Sequence, residues 1–126
     1  MDKENKLVPG LPSGFEDRWS NKLLLKKKLV KAIEKNFIKF GAEALETPSF
    51  EISENIGSFL AEDDTNPMSG VFSFEDGEKN ITLRYDLSSP LARFVAQNNQ
   101  ELPPIFKRYQ IQNVFRNEKA GNGRYR

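Results

Sequence analysis

The stretch from Ser20 to Gly41 restricts the fold more than any other part of the chain. Leu25, Leu29, Ile33, Phe37 and Phe40 recur at spacings of four, four, four and three, with Val30 alongside. That is the period of one helix face, so a single long helix is predicted here. Ser20 or Asn21 is placed to cap its start, and Gly41 to end it in the left-handed conformation. Lys22, Lys26, Lys27, Lys28, Lys31, Lys35 and Lys39 fill much of the remaining surface. Such a face either stays in water or meets RNA phosphates, and both readings stay open.

Nothing of comparable helical length follows. Ala42, Ala44, Leu45 and Thr47 suggest a short strand, with Pro48 at an edge, a bulge or the strand's end, because proline has no N–H to give a ladder. Val71 to Phe74 and Ile81 to Tyr85 are expected to be strands joined by a turn containing Asp76-Gly77. Alternation in the second puts Ile81, Leu83 and Tyr85 on one face. Thr82, Arg84 and Asp86 take the other, a polar row able to meet a ligand. Ser88 or Ser89 followed by Pro90 starts a second helix with proline at its first position, and Leu91, Phe94 and Val95 form its apolar face. Leu102-Pro103-Pro104 stops it. Ile105 to Phe115 alternates as another strand, and Lys119 to Gly123 is a turn. Strands that pair mostly with sequence neighbours, with helices outside them, make the class α+β: a mostly antiparallel sheet flanked by helices. Residues 1–14, which include VPGLPSG, read as an irregular arm before this unit.

Composition removes several chemistries. The 126 residues include no Cys and no His. A disulfide framework, a Cys-based zinc site and an imidazole general base are therefore excluded. Net charge is +1 from 19 basic and 18 acidic residues, so any polyanion must be met by local clusters rather than a global field. With 37% hydrophobic and 29% charged residues the composition is that of a soluble globular protein. No apolar run approaches membrane length and the start lacks the apolar core of a signal peptide, so no membrane role and a cytoplasmic location are expected. The carboxylates from Glu62 to Gly70 lack the spacing and the glycine of a calcium loop, so no metal site is expected there.

The densest chemistry lies in FRNEKAGNGRYR, from Phe115 to Arg126. Alternation puts Arg116 and Glu118 on one face of a strand, and the glycine turn lets Arg124 and Arg126 return toward them. Guanidinium forks match phosphate oxygens and stay charged, so a triphosphate suits this arrangement. A carboxylate beside them suits an amino donor such as the exocyclic amine of adenine, or else holds an arginine in place. The same spacing also fits surface ion pairs. Neither GxxxxGK[ST] nor GxGxxG occurs, so no phosphate loop of those kinds is present.

The segment Phe115–Arg126 resembles the second signature motif of class II aminoacyl-tRNA synthetases: Arg-x-Glu on a strand, a loop, then Arg on the return. Lys39–Glu51 resembles the first motif, with Pro48 as its proline. LRYDLSSPLAR, Leu83–Arg93, is similar to the segment that narrows the likeness to the histidyl-tRNA synthetases. The resemblance runs from about Pro12 to the last residue. It implies that residues 15–126 are an incomplete catalytic domain carrying the first two motifs only, inactive alone. It also implies activation of histidine with ATP and magnesium to histidyl-adenylate, transfer to tRNA(His), and a homodimer.

Matched position by position, Arg116 would hold the α-phosphate of ATP and the substrate carboxylate, and is the catalytic residue. Glu118 would meet the adenine amine and Arg124 the terminal phosphates. Asp86 would receive the ammonium of histidine with Ser88 beside it, and Pro48 would sit in the dimer interface. Asp86 has alternatives in capping the next helix or pairing with Arg84 or Arg93, Ser88 in helix capping, and Arg126 in a structural charge. The chain departs from a common family pattern in having Ser13-Gly14 where Arg-Gly is frequent. It also has Asp86 and Ser88 where many bacterial members carry Glu and Thr, which keeps the charge and the hydroxyl. A regulatory paralogue, the regulatory subunit of ATP phosphoribosyltransferase, is the alternative function. An intact Arg116-x-Glu118 with Arg124 favours the enzyme.

Overall fold

The computed structural model describes residues 7–56, 70–123 and 125–126. The long helix forms as its periodicity demands, α1 running Ser20–Lys39. Gly41 ends it at φ +77°, a conformation that costs glycine little. The Gly41 N–H donates to the Ile38 carbonyl at 3.0 Å, and the Ala42 N–H to the Phe37 carbonyl at 3.1 Å. These two reversed bonds satisfy carbonyls that the helix end would leave unpaired. The start differs from expectation. Trp19 is the N-cap and makes no side-chain capping bond, while Ser20 itself sits at φ +53°. The apolar stripe stays largely open, with no α1 residue buried and Leu25 70% exposed. Toward the helix's end, the Phe37 ring stacks on Tyr109 with centroids 5.6 Å apart.

After the helix, β1 (Glu43–Ala44) pairs in parallel with β5 (Arg108–Tyr109). Both strands are shorter than the alternation suggests, for one reason. The Thr47 N–H is taken by the Gln112 side chain at 3.0 Å and Pro48 has none to give, so the ladder cannot continue. From Gln110 to Asn113 the chain is held mainly through side chains instead. Gln110 Nε2 donates to Thr47 Oγ1 at 2.8 Å and Gln112 Nε2 to the Thr47 carbonyl at 3.2 Å.

The main sheet is antiparallel in the order β2-β4-β3, with β2 Phe50–Ile52, β3 Ser73–Asp76 and β4 Lys79–Leu83. β3 and β4 meet in a hairpin whose register pairs Asp76 with Lys79, leaving Gly77-Glu78 as the turn. Gly77 takes φ +60°, which a hairpin of this length requires at its first central residue. A four-residue helix, α2 (Ser53–Ile56), follows β2, and α3 (Ser88–Asn98) follows β4. α3 begins two residues before Pro90, so that proline lies within the first turn rather than at the first position. There its missing N–H still costs nothing.

Burial in the sheet inverts the expectation drawn from its alternation. The polar row is inside: Thr82 is 1% exposed and Arg84 4%. Glu51, paired with Thr82 in register, is buried as well, whereas Phe50 and Phe74 pack edge-on at 5.5 Å on an exposed face. What makes this tolerable is that the buried side chains of Glu51, Thr82 and Arg84 are each hydrogen-bonded. Arg93 of α3 grips Glu51 with two bonds of 2.8 and 2.9 Å, and Ser53 Oγ lies 2.5 Å from Thr82 Oγ1. The buried apolar residues among those described are Ile56 and Val71, with Pro90 fully enclosed. Thr82 and Arg84 therefore serve the interior and not a ligand.

Candidate functional site

Arg84 is the staple on which the site is built. Its Nε donates to the Asn113 carbonyl at 2.6 Å and its Nη1 to the Thr47 carbonyl at 2.8 Å. Its own N–H donates to the Ser49 carbonyl at 3.0 Å, and its carbonyl accepts the Phe115 N–H at 2.9 Å. Three segments distant in sequence are thus joined at one residue. Burial lowers the Arg84 pKa, with the Glu46 and Glu51 carboxylates opposing that shift. The consequence is positional. Bonding of Phe115 to Arg84, and of the Asn117 N–H to the Gly70 carbonyl at 3.0 Å, fixes Arg116 and Glu118 against Tyr85.

The segment that carries Arg116 and Glu118 is not a strand, since β5 ends at Tyr109, but the two side chains still come together because both reach the same tyrosine. The Arg116 guanidinium lies over the Tyr85 ring, 4.6 Å from its centroid, and Arg116 Nε donates to the Tyr85 carbonyl at 3.3 Å. The Tyr85 hydroxyl donates to Glu118 Oε1. That bond raises the Tyr85 pKa first of all, with burial, the Glu118 charge and Asp86 adding to the rise and Arg116 opposing it.

Alternation alone puts Tyr85 on an apolar face with Ile81 and Leu83. The signal that it differs is chemical: it is the one member of that row with a hydroxyl, and a partly buried tyrosine normally finds a partner for it.

Asp86, next in the chain, accepts the Ser89 N–H at 3.3 Å through Oδ1, so it caps α3. It pairs with neither Arg84 nor Arg93, since Arg93 is committed to Glu51. Ser88 is exposed at the first position of α3. Pro48 is exposed beside the buried Thr47. Arg124 and the carboxylates from Glu62 to Ser69 lie outside the described residues.

Arg126 is fastened to the arm, to Asn117 and to Phe72. Its N–H donates to the Gly14 carbonyl at 2.7 Å, its Nη2 to Asn117 Oδ1, and its guanidinium lies 5.1 Å from the Phe72 ring centroid. Gly14 lets this happen: at φ +84°, a Cβ there would stand 2.6 Å from Arg126 Cγ. Arg116 also lines a cleft of about 270 Å³ together with Gly14, Phe15, Glu16 and Arg18.

Comparison with known proteins gives this geometry a family. The chain is 81% identical over all 126 residues to the histidine–tRNA ligase of Pelagibacter ubique. It belongs to the histidyl-tRNA synthetase family. The histidine–tRNA ligase of Rhodopseudomonas palustris is 43% identical over 125 residues, 98% of the chain. The chain spans about a quarter of the length of these relatives, 27% of the first and 24% of the second. Among solved structures, the histidyl-tRNA synthetase of Nostoc sp. PCC 7120 matches 86% of the chain and 25% of its own length, with a TM-score of 0.72 and 27% identity. A Bacillus halodurans protein described as an ATP phosphoribosyltransferase regulatory subunit/histidyl-tRNA synthetase matches 90% of the chain and 29% of its own length, with a TM-score of 0.76. At 24% identity that likeness concerns the fold alone. No family model matches the chain. Within the synthetase family, the α+β core with its antiparallel sheet and outer helices is the expected architecture, and this chain has it.

Proposed function

We propose that this chain is the first portion of the catalytic domain of a histidine–tRNA ligase, with residues 1–14 as an arm and 15–126 carrying the first two motifs. The observation that carries the reading is the 81% identity, over every residue, to a protein of that name. In the proposed reaction the carboxylate of histidine attacks the α-phosphate of ATP. A new O–P bond forms, the bond to the bridging oxygen breaks, and pyrophosphate leaves. A terminal ribose hydroxyl of tRNA(His) then attacks the histidyl carbonyl carbon, an ester bond forms, the bond to the phosphate oxygen breaks, and AMP leaves. No protein nucleophile is needed, which suits a chain without Cys or His. The protein's part is positioning and charge stabilisation.

Arg116 would hold the α-phosphate and the substrate carboxylate, with Glu118 at the adenine amine and Arg124 at the terminal phosphates. Asp86 would take the histidine ammonium beside Ser88. Its bond to the Ser89 N–H engages one of its oxygens, and the other remains for a ligand. Magnesium enters with the nucleotide as part of the substrate. Among the described residues no group of three or more carboxylates would hold it. The open apolar stripe of α1 and the exposed Pro48 support a homodimer built through the first motif. No helix among the described residues is long and apolar enough to cross a membrane, and a cytoplasmic setting fits the proposed role in translation.

The test is histidine-dependent exchange of pyrophosphate into ATP by the full-length protein. Arg116→Ala is expected to lower that rate by about 10²–10³, the usual effect of removing one preorganised charge donor. An unchanged rate in Arg116→Ala refutes its assignment, and no exchange by the parent protein refutes the ligase itself. The 126-residue chain alone is expected to form no histidyl-tRNA. A regulatory role without catalysis has no support among the relatives named here at 43% identity or above, all of them ligases.

A further inference from the structure

Arg116 and Glu118 carry opposite charges two residues apart and reach the same tyrosine, close enough to compete for each other. They do not pair here. Among the described residues the Arg116 guanidinium makes one hydrogen bond, through Nε to the Tyr85 carbonyl, and otherwise rests on the Tyr85 ring. Glu118 takes the Tyr85 hydroxyl at one oxygen. The two terminal nitrogens of Arg116 and the second oxygen of Glu118 are thereby left for a ligand.

We propose that Tyr85 is the positioning residue of this site, keeping Arg116 and Glu118 apart and aimed so that each meets nucleotide rather than the other. The inference rests on the ligase reading given above. Three features of one side chain produce the effect. The ring's negative face attracts the guanidinium without spending its terminal N–H groups. The hydroxyl is a neutral donor, so it engages the carboxylate without cancelling its charge. The main-chain carbonyl holds Nε, which fixes the guanidinium plane.

The tyrosine is itself held on all sides. Its ring lies against Gly70, where an added Cβ would stand 3.5 Å from Cε2. Arg84 before it is stapled to Thr47 and Asn113, and Asp86 after it caps α3. A leucine of similar bulk would cover Gly70 but would offer neither a π face nor a donor. Phenylalanine would keep the face and lose the donor.

Steady-state pyrophosphate exchange in the full-length ligase separates these parts. Tyr85→Phe frees Glu118 to turn on Arg116, and is expected to raise the KM for ATP about fivefold, the worth of one such hydrogen bond, with kcat little changed. Tyr85→Leu also removes the face under Arg116 and is expected to lower kcat by roughly 10- to 100-fold, as small misplacements of a reacting group do. In a Glu118→Gln background, Tyr85→Phe should have no further effect on the KM for ATP, because no carboxylate remains to restrain. Three results overturn the proposal with the ligase reading intact. They are an unchanged KM in Tyr85→Phe, an unchanged kcat in a folded Tyr85→Leu, and a Tyr85→Phe effect of equal size with and without Glu118. If Tyr85→Leu does not fold, the Tyr85→Phe and Glu118→Gln pair decides alone. Absence of histidine-dependent exchange in the parent protein overturns the ligase reading and this inference together.

Discussion

Replacing Arg84 by methionine tests whether one buried guanidinium sets the geometry of the site. Methionine keeps much of the length and loses both donors. Two carbonyl bonds go, 2.6 Å to Asn113 and 2.8 Å to Thr47. A hydrogen bond to a charged group is worth about 1.5–3 kcal/mol, so the gross loss is about 3–6 kcal/mol. Two things reduce it. The Thr47 carbonyl keeps the Gln112 Nε2 donor at 3.2 Å, so only the Asn113 carbonyl is orphaned. The substitution also removes the cost of burying a charge, the same cost that lowers the Arg84 pKa. A net local destabilisation of about 2–4 kcal/mol remains, equal to roughly 30- to 1000-fold in an opening equilibrium.

Native-state hydrogen exchange in the full-length protein reads this directly at the Phe115 amide, which donates to the Arg84 carbonyl. Protection there should fall by that factor, while the Leu83 amide, bonded to the Phe72 carbonyl within the hairpin, should change much less. Arg84→Lys, which keeps the charge and reaches one carbonyl at a time, should lose about half as much free energy. Pyrophosphate exchange should fall in parallel with protection, since Phe115 carries Arg116. Protection at Phe115 within about threefold of the parent in Arg84→Met would refute the staple.

Three further outcomes are expected. Gly14→Ala puts a Cβ 2.6 Å from Arg126 Cγ at φ +84°, and should displace Arg126 from Asn117 and Phe72 at a cost of about 1–3 kcal/mol, seen as lost protection of the Arg126 amide. Gly41→Ala meets open space but must take φ +77°, so it should cost about 1 kcal/mol from backbone strain alone, with Gly41→Asn milder, by thermal unfolding. The Tyr85 hydroxyl has its pKa raised above the ordinary 10.0, chiefly by its bond to Glu118. Its protonated form is therefore the one the fold favours. The stability it contributes is fully present below pH 10 and is lost as pH rises through the folded value. Tyrosinate absorbance against a Tyr85→Phe reference should show one group titrating late, and a normal titration would sink the assignment of that bond.

Local features were legible before any fold was known. Gly41 ends α1 and Gly77 opens the hairpin because each is a backbone requirement confined to a few neighbouring residues. Strand alternation put Arg116 and Glu118 on one face, but no strand forms there, and it is Tyr85 that gathers the two side chains. Trp19 standing in for a Ser20 cap is another exception, and there the error spans one residue.

Which face of a strand is buried belongs to another level. Alternation sorted Thr82 and Arg84 from Ile81 and Leu83 correctly, yet the polar set went inside because α3 carries Arg93 onto Glu51 and because Arg84 found two distant carbonyls. Parallel pairing of Glu43 with Arg108, and the meeting of Tyr85 with Arg116 and Glu118, likewise depend on segments far apart in the chain. Sequence alone determined the periodic helix, the turns, the chemistry excluded by lacking Cys and His, and the pattern of motifs. Tertiary structure decided which charges became interior scaffolding and which stayed available, since a charged group's role depends on the partners that reach it after folding.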